Sequence, residues 1–370
     1  MQKQPSSKPV ARWLMIGIFM IVVQILLGGI TRLTGSGLSI TEWNLGSGSL
    51  PPLNQEQWQG AFNKYQGTEQ YRQLNSGFTL SDFKFIFFWE WFHRLWGRLI
   101  GVVFLIPFII FLIQKRFTRD MVIPLVILFI LGAMQGAVGW LMVLSGLTGD
   151  AVYVRPANLA MHFILALFLL CYTFWFTLKF VVRKDQLFTF PSLKKYTWLL
   201  LLVLLVQLFY GAMMAGFKAA PYAPTWPTIN GEWLPSAGKV ASNPQNQAMT
   251  NSTGQRNEIL KTHFIHRGLA YFLVLLIIGW TIATMKIKGN NAFRIARAMP
   301  LLLACLQTAL GIFTVLTSSG ISAYKWGGFE WLAQIHQLTA IALLLALVYN
   351  IFLLTPKQKL NSTSAITSYA

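Results

Sequence analysis

The chain has 370 residues, of which 55% are hydrophobic and only 11% charged, and its formal net charge is +19. Soluble domains usually carry about a quarter charged residues, so this composition excludes an ordinary soluble enzyme. The basic residues form no single patch along the chain, which argues against nucleic acid as a partner. We therefore expect an integral membrane protein that contacts lipid.

Apolar runs close to the length of a membrane-spanning helix recur along the whole chain. About 20 such residues cross a hydrocarbon core of about 30 Å, and a lone spanning segment satisfies its backbone hydrogen bonds only as a helix. The predicted spans are 13–30, 84–113, 121–145, 158–182, 196–217, 259–286, 293–318 and 332–354. The predicted fold class is all-α, a polytopic membrane protein with eight transmembrane helices.

Lys and Arg cluster in both tails and in alternate connections, whereas the other loops are long and nearly balanced in charge. The positive-inside rule assigns the basic side to the cytoplasm, so both termini are predicted to be cytoplasmic. No cleavable signal or transit peptide is evident, which indicates a bacterial-type inner-membrane protein. The basic residues used are Lys3, Lys8, Arg12, Lys115, Arg116, Arg119, Lys179, Arg183, Lys184, Lys194, Lys195, Lys286, Lys288, Arg294, Arg297, Lys357 and Lys359.

Four of the five histidines occupy similar positions in alternate spans. His93, His162, His266 and His336 lie near the N-terminal ends of the second, fourth, sixth and eighth spans. Alternate spans run in the same direction, so the four imidazoles are expected at about one depth, in the outer half of the membrane. Neutral imidazole is a good axial ligand for iron, and two facing pairs would hold two hemes. A single membrane histidine is more often a core residue, and zinc lacks carboxylate or thiolate partners here, so only the joint pattern favours heme.

The second half of the chain repeats motifs of the first half in the same order. This self-similarity predicts two pseudo-repeated four-helix bundles, each with one histidine pair. The predicted division is an N-terminal half of 1–182, a cytoplasmic linker of 183–195 and a C-terminal half of 196–370. The matching motifs are Gln24-x-x-x-Gly28 with Gln207-x-x-x-Gly211, Gln135–Gly139 with Gln307–Gly311, His93–Arg94 with His266–Arg267, and Leu159–His162 with Leu332–His336.

Glu90 breaks the symmetry between the halves. It precedes His93 by three residues on the same helical face, and His263 takes the equivalent position before His266. One interpretation is an interfacial glutamate in an aromatic belt, since tryptophans flank it. The functional interpretation is a carboxylate beside one heme only, which makes one site reactive and leaves the other as a cofactor site. His263 is interpreted as a supporting or interface residue rather than a ligand.

The remaining polar features leave alternatives open. Arg94, Arg98 and Arg267 either pair with heme propionates or extend toward the interface. The loops that begin at Gly28 and Ala215 are expected to cover the outer ends of the bundle, and the polar stretch 236–257 is expected to be mobile. The two cysteines, which are Cys171 and Cys305, are interpreted as small buried apolar residues.

Taken together, these motifs resemble the heme A synthase family over roughly residues 13–354. The signatures that carry the resemblance are Gly29–Ser39, Pro51–Leu53, Glu90–Arg94, Leu159–His162, Ala215–Lys218, Thr225–Pro227, His266–Arg267 and His336–Gln337. The family is all-helical, with eight transmembrane helices in two pseudo-repeated halves. The chain lacks the outer-loop cysteine pair of one branch and is similar to the other branch. Two departures are Asn158, where many members have Arg, and His263, where Gln is common.

The resemblance implies an oxidoreductase that converts heme O to heme A for cytochrome oxidase by oxidising a porphyrin methyl group to formyl. It implies that His93 and His162 flank the substrate heme, that His266 and His336 ligate a heme b cofactor, and that Glu90 is catalytic. The implied partners are heme O, membrane lipid and an electron donor that the sequence does not identify. Association with heme O synthase, a homo-oligomer and the source of the formyl oxygen are left open.

Two rival functions also account for some of the residues. A di-heme b electron-transfer protein of the quinol-linked cytochrome b type explains the four histidines, but it does not explain Glu90 in one half only. A heme transporter or chaperone would hold heme loosely and would not change it.

Overall fold

The structure is a computed structural model that describes residues 8–42, 50–235, 253–321 and 326–356. Within these ranges it is helical, with one isolated bridge between Ile229 and Glu232 and no named strand. The helices are α1 (Lys8–Leu33), α2 (Gln55–Gln66), α3 (Glu69–Leu74), α4 (Leu80–Ile113), α5 (Arg119–Leu144), α6 (Pro156–Val181), α7 (Pro191–Gly216), α8 (Thr253–Met285), α9 (Asn291–Ala296), α10 (Met299–Thr317) and α11 (Gly328–Leu353).

Eight segments of the described chain are long and apolar enough to cross a membrane. They are α1, α4, α5, α6, α7, α8, the stretch Asn291–Gly320 that contains α9 and α10, and α11. The predicted all-α membrane fold with eight spans is therefore confirmed. The basic residues Lys3, Lys357 and Lys359, which entered the topology prediction, lie outside the described residues.

Helix ends differ from the sequence prediction where local chemistry extends a helix beyond its apolar run. Helix α7 begins at Pro191, inside the predicted linker, because proline fits the first turn of a helix, where its missing N–H is not needed. Helix α8 begins at Thr253, so residues 253–257 are helical rather than part of a mobile stretch. The remainder of that stretch, 236–252, lies outside the described residues. His93 and His266 consequently lie at the same distance from the start of their helices.

Two prolines leave carbonyls unpaired inside the helices, and polar side chains from neighbouring helices satisfy them. Pro107 in α4 cannot donate to the carbonyl of Val103, which instead accepts from Trp13 Nε1 of α1 at 2.9 Å. Pro300, near the start of α10, likewise cannot donate to the carbonyl of Ala296, which accepts a hydrogen bond from Asn350 Nδ2 of α11 at 3.1 Å. The same proline separates α9 from α10, so the predicted seventh span is two helices.

The core of the molecule lies between α1, α6, α7 and α11. A large buried apolar cluster joins these helices, with Leu167, Leu200 and Leu344 fully enclosed. Helix α4 packs against α1, and α5 packs against α6. In the same way, α8 packs against α7, and α10 packs against α11. The packing scheme is thus the same in both parts of the chain, although the division into two repeated halves stays a prediction.

Two short helices cover the N-terminal end of α4. Helices α2 and α3 start at side-chain caps on Asn54 and Thr68, and their aromatic rings pack against the first turns of α4. Phe62 and Tyr65 contact Phe83, with ring centroids 5.2 and 5.3 Å apart. This layer holds the N-terminal end of α4 and therefore the residues that follow it, including Glu90.

Candidate functional site

One large cavity runs inside the bundle and is lined by helices from both parts of the chain. Its volume is about 910 Å³, within the range of small-molecule sites. All four histidines of the predicted set line it, and so does Glu90. Asn158 instead lines a second, smaller cavity of about 400 Å³ with Arg155 and Met161. The structure therefore brings together the residues that the sequence placed at one depth.

Each of the four histidines contacts a glutamine from the preceding spanning helix. The pairs are Gln24 with His93, Gln135 with His162, Gln207 with His266 and Gln307 with His336. In the first pair, Gln24 Nε2 donates to the backbone carbonyl of His93 at 3.2 Å and lies 3.3 Å from its Nε2. In the second, Gln135 Nε2 donates to the carbonyl of His162 at 3.1 Å and lies 3.2 Å from its Nδ1. These glutamines were not predicted as site residues, although their fourfold repetition was visible in the sequence.

A glycine four residues after each glutamine gives the imidazole its space. An added Cβ would lie 3.2 Å from the Cε1 atom of His93 at Gly28, and 2.7 Å from that of His162 at Gly139. At Gly211 and Gly311 the corresponding distances, to His266 and His336, are 3.2 and 2.9 Å. The motif Gln-x-x-x-Gly therefore has two functions: the glutamine contacts the histidine of the next spanning helix, and the glycine leaves space for its imidazole ring.

The histidines associate in two pairs. His93 and His162 lie within electrostatic range of each other, and so do His266 and His336. The Nδ1 atoms of His93 and His266 are buried without a hydrogen-bond partner. Unpaired buried polar atoms beside a large cavity are typical of a site that a ligand completes.

The donor set fits iron that is already held by a porphyrin. Among the described residues, no group of three or more His, Cys, Asp and Glu side chains is placed to hold a metal ion alone. Two imidazoles that line one cavity would instead be able to hold the iron of a heme. Cys171 of α6 and Cys305 of α10 are free cysteines; Cys171 is partly buried, whereas Cys305 is exposed, so its interpretation as a buried residue is wrong.

Glu90 is buried and fully engaged by the protein. Only 2% of its surface is exposed, so the carboxylate is enclosed by the protein rather than exposed at its surface. One carboxylate oxygen accepts hydrogen bonds from Ser39 Oγ at 2.8 Å and from the backbone N–H of Ile40 at 2.9 Å, and the other pairs with Arg94 at 2.5 Å. Arg94 also donates to the carbonyl of Ile40 at 3.2 Å. Glu90 and Arg94 therefore anchor the loop after α1 while lining the cavity.

His263 and Arg267 anchor the loop after α7 in the same manner. His263 Nε2 lies 2.7 Å from the carbonyl of Ala219, and Arg267 approaches His263 Nδ1 at 3.3 Å. Arg267 also donates to the carbonyls of Ala223 and Thr225 at 2.9 and 2.8 Å. Glu90, Arg94 and Arg267 line the cavity, whereas His263 does not. A carboxylate thus reaches the cavity beside the first histidine pair, whereas the corresponding imidazole of His263 does not line it.

Alanine at Gly139 tests whether the glycines hold the imidazoles in place. The new methyl group would displace the ring of His162, and we expect affinity for the ligand of that pair to fall by about 10–100-fold, as when the support of a metal ligand is lost. Gly268, in α8, is the control because nothing lies near its Cβ position. Heme titrations monitored by absorbance measure both variants, and equal affinities for G139A and G268A would contradict the steric role.

Comparisons with known proteins agree with this geometry. A family model described as cytochrome oxidase assembly protein, COX15-CtaA, matches residues 11–348. A heme A synthase of Bradyrhizobium diazoefficiens is 39% identical over 350 residues, which cover 94% of this chain and 92% of the relative. The heme A synthase of Flavobacterium psychrophilum is 34% identical over 94% of this chain and 98% of its own, and that of Nitrosomonas eutropha is 36% identical over 93% of each. The chain therefore belongs to the COX15-CtaA family of cytochrome oxidase assembly proteins.

Proposed function

We propose that the protein is a heme A synthase, an oxidoreductase that converts heme O to heme A. The observation that carries the proposal is one cavity lined by two histidine pairs, with a buried carboxylate beside the first pair only. Relatives with this name match the chain over more than nine-tenths of its length. A simple electron-transfer protein has no use for that carboxylate.

The two pairs are proposed to have different ligands. His93 and His162, in the half formed by residues 1–182, would hold the substrate heme O. His266 and His336, in the half formed by 196–370, would hold heme b, and 183–195 would connect the halves. The glutamine contacts, the glycine clearances and the unpaired Nδ1 atoms support both sites alike. Heme b supplies one-electron chemistry when bound.

Glu90 is proposed to act on the methyl group of the substrate. Conversion of a methyl group and water to a formyl group releases four electrons and four protons, whereas an oxygen-dependent route passes through hydroxylation. In both cases protons leave near the porphyrin edge, and a carboxylate at the cavity wall can accept one or stabilise positive charge. Arg94 and Ser39 hold that carboxylate in a fixed orientation. Isotope analysis of the formyl oxygen distinguishes the two routes.

The protein is proposed to reside in the inner membrane with both termini in the cytoplasm. The basic connections support this orientation, which puts the histidine pairs toward the outer face. An electron donor or acceptor and heme O synthase are proposed partners, together with the surrounding lipid.

The test is expression of the full chain in a host that makes heme O but no heme A, followed by heme extraction and mass analysis. Heme A is expected from the wild type and not from Glu90→Ala. Retention of the heme in the second site by that variant shows that it has folded. Heme b alone, with heme O unchanged by both proteins, would instead support the di-heme electron-transfer protein.

A further inference from the structure

Two cationic side chains line the outer part of the cavity, at the junction of the two halves. Arg32 follows Gly28 by one helical turn, and Lys218 follows Gly211 by two turns, so both lie about 6–10 Å outward of the glycines that face histidines. Arg32 of α1 donates to the carbonyl of Ala215 in α7 at 2.8 and 2.6 Å. The Lys218 ammonium in turn lies 3.8 Å from the ring centroid of Tyr153, in the connection before α6.

Neither cation is neutralised by a carboxylate in contact with it. In the parts of the chain that the structure describes, no ion pair includes Arg32 or Lys218. Glu330 of α11 lies within electrostatic range of Arg32, but its carboxylate accepts from the N–H of Gly327 at 2.8 Å. Burial, reinforced by the nearby Arg32, lowers the pKa of Lys218 to about 7. An anion bound between Arg32 and Lys218 would offset the electrostatic repulsion between these two positive charges.

The backbone holds Lys218 at this place in an unusual conformation. Its φ is 49°, in the left-handed region that favours glycine or asparagine after the end of a helix. The next residue, Ala219, is fixed by hydrogen bonds from its N–H to Met214 and from His263 to its carbonyl. A non-glycine residue kept in a strained conformation by several contacts is a reason to look for a function.

We propose that Arg32 and Lys218 form a binding site for the propionate carboxylates of the porphyrins that occupy the cavity. The inference rests on the proposed heme function. Arg94, which follows His93 directly, is already neutralised by Glu90. The remaining lining is mostly apolar, which suits a porphyrin ring better than a small inorganic anion. Because the two cations come from different halves, the site links the two porphyrin positions.

The site gives the affinity for porphyrin a dependence on pH. In the free protein Lys218 is protonated below pH 7 and neutral above it, so binding a carboxylate above pH 7 must bring a proton with it. The charged or titratable groups that face it are Arg32 from α1, Tyr153 from the α5–α6 connection and, beyond Arg32, Glu330 from α11. Affinity is therefore expected to fall by up to about tenfold per pH unit above pH 7.

Titration of the purified full-length protein with iron protoporphyrin IX and with its dimethyl ester tests the proposal. The wild type is expected to bind the diacid at least about tenfold more tightly than the ester, as a charge-assisted contact would give, and only the diacid should show the pH dependence. Lys218→Met should lose about tenfold in affinity for the diacid and little for the ester, and Lys218→Arg should restore it. The exposed Lys261 provides the control variant K261M, which should behave as wild type.

Several outcomes would overturn the proposal. Equal affinity of the wild type for diacid and ester would do so without any variant, as would loss of diacid affinity in Arg98→Met but not in Lys218→Met. Displacement of the porphyrin by excess inorganic phosphate would show a general anion site instead. Heme A formation by the wild type is measured separately. If the wild type makes heme A but binds diacid and ester equally, the propionate site is wrong and the proposed enzyme function is not.

Discussion

Alanine at His336 is expected to empty the second heme site, whereas alanine at His162 leaves that heme bound and stops the formation of heme A. In the proposed function each imidazole would be one of two protein ligands of its heme, and the described chain places no third His, Cys, Asp or Glu beside the pair to replace it. Loss of a group that only orients a ligand costs about 10–100-fold, so loss of the ligand itself should exceed about 100-fold in heme affinity. Heme content per protein and extracted product, measured on the same preparations, separate the two effects.

His263 provides the matched control for these variants. It is a buried histidine one turn from His266, but it binds the carbonyl of Ala219 rather than lining the cavity. His263→Ala should lower the free energy of unfolding by about 1–3 kcal/mol, the penalty for an unpaired buried polar group. The variant should still bind heme at both histidine pairs. Equal loss of heme and product in the variants of His162 and His336 would contradict the assignment of different ligands to the two pairs.

The spacing of apolar runs and histidines was sufficient to predict the eight spans and to place the four histidines together at one cavity. A histidine in a membrane helix is rare enough that its position carries information. The prediction failed where proline and capping chemistry decide a boundary, as at Pro191. It also could not show that Pro300 divides the seventh span, because the carbonyl freed by that proline is satisfied by Asn350, which is distant in sequence.

Contacts between distant segments account for what the sequence analysis missed at the site. The four glutamines were recognised only as a repeated motif, because their role depends on which helix packs opposite them. The sequence indicated that Glu90 and His263 were equivalent, but not that each anchors the loop after the preceding spanning helix. Arg32 and Lys218 lie in two signature motifs, but the sequence did not indicate that they meet, since their proximity depends on the packing of α1 against the end of α7.

Replacing Glu90 with glutamine is expected to reduce heme O conversion by about 10²–10⁴-fold, the usual contribution of a general acid or base. The amide has the size of the carboxylate and can still accept from Ser39 and Ile40, so the loop keeps part of its anchor. The charge that pairs with Arg94 is lost, together with the ability to take a proton. The measurement is the initial rate of heme A formation beside the affinity for heme O, which should change little.

Ser39→Ala separates the anchoring role of Glu90 from its chemical role. It removes one hydrogen bond to the carboxylate, worth about 1 kcal/mol, and leaves the charge and Arg94 in place. If Glu90 served only to hold the loop, as His263 does in the other half, the two variants would lose activity and stability in parallel. A large loss of rate in E90Q with a small one in S39A, at similar thermal stability, requires the carboxylate to act on the substrate. That distinction matters because Glu90 and His263 both anchor a loop, but only Glu90 lines the cavity.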